Sequence, residues 1–203
     1  MPKFDYHGKR IFYRRKGQGP LLVILPGNTA SSACHQEDLA FFAGQFTAVS
    51  MDYLGTGQSD RLENFGANWF RDCADQAAAL IRHLSLGPAI LLGTSGGAVV
   101  TLHTAAKHPS LIQGVIADSF TPEFTEAMLQ HNVIEERSVR SEGQIAFWHF
   151  AHGEDWEQVV AADTQMLKKI TAGGGNWLGD SLSITECPIF FTASLEDEML
   201  HQP

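Results

Sequence analysis

Pro88-Ala89-Ile90-Leu91-Leu92-Gly93-Thr94-Ser95-Gly96-Gly97-Ala98, continued by Val99-Val100-Thr101-Leu102-His103, is the stretch that decides the fold of this 203-residue chain. An apolar run ends at Gly93 and a helix-compatible run begins within three residues, so the backbone turns from strand to helix around Ser95. Gly93 and Gly97 stand where a Cβ would collide with the neighbouring strand and helix, which is the steric content of Gly-x-Ser-x-Gly. A serine at such a bend holds its hydroxyl above the sheet edge. The helix starting beneath it offers unpaired N–H groups and a positive dipole end to a developing oxyanion. The alternatives are a small-residue turn without chemistry or part of a phosphate loop, but no lysine follows and Gly-x-Gly-x-x-Gly is absent.

Outward from this turn, buried-looking strands alternate with helices. Lys3 to Tyr6 and Ile11 to Arg15 read as an antiparallel hairpin turning at Gly8. Leu21 to Leu25 is a continuous apolar run that suits a strand covered on both faces, ending in Pro26-Gly27-Asn28-Thr29. A helix from about Gln36 to Ala43, a strand from Phe46 to Met51 and the turn-dense Asp52 to Ser59 follow. Trp69, Phe70, Cys73, Ala74, Ala77, Leu80, Ile81 and Leu84 recur at three- and four-residue spacing, the apolar face of a helix about 16 residues long. After the strand to Gly93 come a helix from Gly96 to His108 and a strand from Leu111 to Ala117, with Asp118 at its end.

This order specifies a mainly parallel, doubly wound α/β sheet, whose ligand chemistry gathers at the carboxyl ends of the strands. Gly27-Asn28, Asp52, Ser95 and Asp118 all fall at such ends. From Thr121 to about Ser183 the pattern changes to helical stretches at Glu123 to Gln130, Glu142 to Phe150 and Asp155 to Ile170, rich in large aromatics. Residues 121–183 therefore read as a helical cap inserted after the sixth strand. They divide the core into 1–120 and 184–203, with Cys187 to Thr192 as a further strand.

Composition narrows the classes. With 44% hydrophobic and 18% charged residues the chain reads as globular, and a net charge of −9 without a basic block argues against nucleic acid or an anionic membrane as partner. No apolar run approaches the roughly 20 residues that span a bilayer. The amino terminus lacks the apolar core of a signal peptide, and the three cysteines, Cys34, Cys73 and Cys187, form no Cys-x-x-Cys, so a reducing, cytoplasmic setting is expected. His149 and His152 have no third ligand nearby other than Glu154 or Asp155; no metal and no other cofactor is expected.

Four motifs in this order resemble the α/β-hydrolase superfamily, specifically its capped esterases and proline-iminopeptidase-like enzymes. They are Leu25-Pro26-Gly27-Asn28, Asp52-Tyr53-Leu54-Gly55-Thr56-Gly57-Gln58-Ser59, Gly93 to Gly97, and Ser194-Leu195-Glu196-Asp197. The resemblance implies a serine hydrolase of a small ester or related acyl substrate. Ser95 would be the nucleophile, the N–H groups of Asn28 and Gly96 the oxyanion donors and Asp197 the acid, with Asp118 as alternative acid. Asp52 is expected to brace its own turn with Ser59. The family's catalytic histidine follows a further strand, and the sequence ends six residues after Asp197 with His201 four residues beyond it. The fold is thus expected to be short at its carboxyl end, with His35 as a candidate base, and His103 and His108 in structural places. A bare sheet edge would suit a homodimer or a separate carboxyl-terminal fragment. The competing expectation is a non-catalytic protein of this fold that binds a small apolar ligand.

Overall fold

A computed structural model describes residues 2–194; Asp197 and His201 lie outside the described residues. Among the described residues seven strands form one sheet in the order β1-β2-β4-β3-β5-β6-β7. β1 (Lys3–Tyr6) and β2 (Lys9–Lys16) make the antiparallel edge hairpin, and β2 pairs antiparallel with β4 (Thr47–Met51). β3 (Leu21–Leu25), β5 (Ala89–Thr94), β6 (Ile112–Asp118) and β7 (Ile189–Thr192) continue the sheet from β4 in parallel.

The two-residue period of β3 builds both halves of the core. Leu21, Val23 and Leu25 join the larger cluster with α2 (Trp69–Leu84) and α3 (Gly96–Lys107), while Leu22 and Ile24 pack with Leu39 of α1 (Gln36–Phe42) on the other face. That double cover is why the run is uninterrupted by polar residues. α2 buries Trp69, Phe70, Cys73, Ala74, Ala77, Leu80 and Ile81, the face its spacing announces. It stops where Ser85 takes left-handed dihedrals and returns its N–H to the Ile81 carbonyl, before Gly87-Pro88.

Between β6 and β7 the described residues hold helices and no strand. α4 (Glu126–Leu129) begins later than the sequence suggests, because Thr125 caps it by accepting from the Met128 N–H at 3.2 Å. It then runs through a π-helical turn, Gln130–Glu135, into α5 (Glu136–Val139), a continuation the sequence reading misses. A π turn breaks the 3.6-residue spacing on which that reading depends. α6 (Glu142–His152) and α7 (Trp156–Ala172) complete the insertion. Among the described residues β7 pairs with β6 alone and leaves Phe190 and Phe191 exposed. No helix among them is long and apolar enough to cross a membrane.

Asp52 does brace the turn after β4. Its buried carboxylate accepts from the N–H groups of Ser32 and Gln58, each at 2.7 Å, and its carbonyl accepts from the Ser59 hydroxyl at 2.6 Å. Asp52→Ala would leave the buried Ser32 N–H without an acceptor, at about 1–3 kcal/mol, and the part-buried Gln58 N–H at less, since water can reach it. A loss of about 3 kcal/mol in urea denaturation is expected, and a smaller one for Asp52→Asn, which keeps one acceptor.

Candidate active site

At residue 95 the backbone of β5, α3 and the end of β3 come close together. Ser95 sits between β5 and α3 with φ 57° and ψ −126°, positive-φ dihedrals that cost a non-glycine residue about 1–3 kcal/mol. Two hydrogen bonds hold it there: its N–H donates to the Asp118 carbonyl at 2.9 Å, and its carbonyl accepts from Ala98 N–H at 2.9 Å. A methyl on Gly93 would strike the Gly97 carbonyl and lie 2.7 Å from the Ala98 nitrogen. One on Gly97 would strike the Leu25 carbonyl and lie 2.9 Å from that of Pro26. The ends of β3 and β5 and the start of α3 therefore meet backbone to backbone.

Ser95 opens onto a cavity of about 430 Å³. Asn28 and Thr29 line it beside the serine, and every other wall residue comes from the helical insertion. Phe124, Val133, Phe147, Trp148, Leu167 and Trp177 supply apolar surface, while Asn132, Glu136, Arg137 and Gln144 supply a polar side. The π turn sets Asn132 and Val133 on the same wall as Glu136 and Arg137, one wide turn later.

The turn after β3 is gripped by that insertion. Asn28 Nδ2 donates to Asp163 Oδ1 at 2.7 Å, and the other oxygen of this buried carboxylate accepts from Arg137 Nη2 at 2.8 Å. The Asn28 Oδ1 occupies the space a side chain on Gly96 would need. Thr29 is β-branched yet has φ 54°, an outlier that its surroundings must enforce. Its carbonyl accepts from His152 Nε2 at 3.0 Å and its hydroxyl from Trp148 Nε1 at 3.3 Å. His152 Nδ1 in turn accepts from Gly57 N–H at 3.0 Å, so the ring is neutral with its proton on Nε2. Burial, with the Arg61 guanidinium nearby, pulls its pKa down to about 4, against the Thr29 carbonyl acting the other way. Arg61 itself is bidentate to Asp155, 2.6 Å at each contact, and donates to the His152 carbonyl at 2.9 Å.

Of the residues singled out from sequence, Ser95 and Asn28 share the cavity, and Gly96 lies against the Asn28 side chain. Among the described residues neither the Asn28 nor the Gly96 backbone N–H donates to a backbone carbonyl. His35 is not brought to Ser95. It ends a 3-10 turn (Ser32–His35), and its Nδ1 is drawn 2.8 Å from Asp38 in the first turn of α1. Asp118 does not line the cavity either; its Oδ1 accepts from Thr192 Oγ1 at 2.6 Å, joining β6 to β7. His103 is buried with Nδ1 on Ser181 and Nε2 on the Trp177 carbonyl, and His108 meets Asp75 at 2.9 Å. No histidine lines the cavity among the described residues.

Asp163 and Arg137 are the residues the sequence reading missed. The available signal was a carboxylate on the face of α7 that otherwise buries Val159, Val160, Met166, Leu167 and Ile170. A charge in that stripe needs a dedicated partner.

Residues 20–135 match the family described as alpha/beta hydrolase fold. A 2-(acetamidomethylene)succinate hydrolase of Mesorhizobium japonicum is 42% identical over 117 residues, 57% of this chain and 41% of that protein. Haloalkane dehalogenase 2 of Mycobacterium tuberculosis is 28% identical over 127 residues, 62% of this chain and 44% of its own length. The matched stretch thus spans less than half of either relative. The crystal structure of E-2-(acetamidomethylene)succinate hydrolase superposes with a TM-score of 0.70 at 25% identity, covering 94% of this chain and 78% of that one.

Proposed function

Since the chain belongs to the alpha/beta hydrolase family, we propose that it is a serine hydrolase of a small ester or related acyl substrate, working through an acyl-enzyme on Ser95. The observation that carries this reading is a serine held in strained dihedrals at the start of α3 and open to a cavity of about 430 Å³. Ser95 Oγ would attack the acyl carbon, and the carbonyl π electrons would move onto oxygen. The Asn28 and Gly96 N–H groups would stabilise that oxyanion, at roughly 3–4 kcal/mol for one donor in a comparable enzyme. The serine proton passes to a general base and then to the departing alcohol or amine; water, activated by the same base, releases the acid.

The helical insertion acts as a cap that shields this chemistry from bulk water. Asn132, Glu136, Arg137 and Gln144 give the cavity a polar end opposite its apolar wall, which suits a small substrate carrying polar groups beside its acyl chain. Asp197 is the proposed acid.

A second reading, a ligand-binding protein without turnover, is favoured by the absence of histidine from the described cavity wall. A fluorophosphonate separates the two. Labelling confined to Ser95 and abolished in Ser95→Ala is the expected result, with ester hydrolysis falling by several orders of magnitude. Folded wild-type protein that takes no label and hydrolyses no short-chain aryl ester would favour the binding reading.

A further inference from the structure

The turn that carries Asn28 is tied to the core at its start, where the Tyr53 hydroxyl donates to the Pro26 carbonyl at 3.3 Å, and closes on itself through Ala30 N–H to the Gly27 carbonyl at 3.2 Å. Gly27 lies so close to the elbow that a Cβ there would come within 2.9 Å of the Thr94 carbonyl, and Thr29 is held in a conformation that a β-branched residue avoids. Its lateral fixings come from the cap: Trp148 and His152 at Thr29, and Asp163 at Asn28. Of these, Asp163 touches the residue that shares the cavity wall with Ser95.

We infer that Asp163 is a positioning residue: through the Asn28 side chain it sets the backbone of residues 27–29 against the elbow and so aims the Asn28 N–H. The geometry is specific on both sides. A carboxylate accepts and does not donate, so the Asn28 amide must present Nδ2 to Asp163 and turn Oδ1 toward Gly96. Arg137 fixes the other oxygen and donates to Thr164 Oγ1 at 2.7 Å, which leaves the carboxylate one orientation. Asp163 is 1% exposed and reaches across 135 residues of sequence to a residue beside the nucleophile. A purely structural anchor for α7 would be satisfied by Arg137 and would have no need of Asn28. The inference rests on Ser95 as the reacting group and adds that the cap helps assemble the oxyanion site as well as covering it.

The test is a double-mutant cycle of Asp163→Ala and Asn28→Ala, read by the rate of fluorophosphonate labelling at Ser95, by thermal melting, and by amide exchange in a peptide spanning 26–31. Asp163→Ala is expected to slow labelling about tenfold to a hundredfold and to speed exchange in 26–31 while the α2 peptide is unchanged. Asn28→Ala should do the same, and the double variant should lose little more than either single one. Losses that multiply, or wild-type labelling and exchange in Asp163→Ala, would overturn the inference, since a residue that merely anchors α7 lowers the melting temperature alone. Should Asp163→Ala fail to fold, Asp163→Leu fills the space and removes both acceptor oxygens, the one that holds Asn28 included; wild-type exchange at 26–31 in that variant counts equally against it. If wild-type protein takes no label, the reading of Ser95 fails, and the exchange data still decide whether Asp163 holds the turn.

Discussion

Gly97→Ala is expected to cost about 4 kcal/mol or more, enough to deplete the folded state of a domain whose whole stability is about 5–15 kcal/mol. The added methyl meets the carbonyls of Leu25 and Pro26, which belong to the central strand β3 and the turn after it. Neither can retreat, because β3 is hydrogen-bonded on both sides, to β4 and to β5. Moving α3 outward instead would open the contact that holds Gly93 against it. Overpacking of this kind falls on backbone, where no rotamer change can relieve it. Gly143→Ala is the control: it lies within α6 with nothing inside 4 Å of a new Cβ, and should be neutral or stabilising by up to about 1 kcal/mol. Urea denaturation of the two variants, or soluble yield if Gly97→Ala does not fold, decides the matter. Equal stability would contradict a backbone-packed elbow.

Acidification from pH 7 to pH 4 should remove about 3 kcal/mol of stability through His152 alone. Its folded pKa lies below that of the unfolded chain, at about 4 against 6.5. Above both values the ring is neutral in either state and its contribution is fully present. As pH falls through 6.5 the unfolded chain takes up a proton that the folded protein refuses, and the loss grows until about pH 4. Protonation also turns Nδ1 from an acceptor into a donor facing the Gly57 N–H. His103, its pKa also lowered by burial, adds in the same direction. Asp52, raised by burial, works the other way and regains some stability as acid neutralises it. His152→Gln should flatten the profile between pH 6.5 and 4, and a profile parallel to wild type would refute this assignment.

What the sequence makes legible follows the range over which each cause acts. The strands, the long α2 and the elbow were readable because a two-residue alternation, a three-to-four spacing and a pair of flanking glycines are local rules. Ser95 and Asn28, which share the cavity, stand out in the sequence for the same reason, each sitting at a strand end beside a glycine. The π turn was hidden because it departs from the spacing used to find helices. Asp163 and His152 were hidden because their partners lie 135 and 123 residues away, and no local pattern names a partner at that distance. His35 shows the opposite lapse: Asp38, one helical turn on, was in plain view as its pairing partner.

The cavity is walled by segments far apart in the chain, and this orders its own manufacture. A nascent polypeptide emerged only as far as α3 already carries Ser95 and both flanking glycines, yet it has neither the Trp148 that meets Thr29 nor the Asp163 that meets Asn28. Closing contacts of such sequence separation comes late in folding. On the reading of Ser95 as nucleophile, reactivity at residue 95 would then serve as a timer, silent through most of synthesis, until α7 and the proposed acid beyond it have both been made.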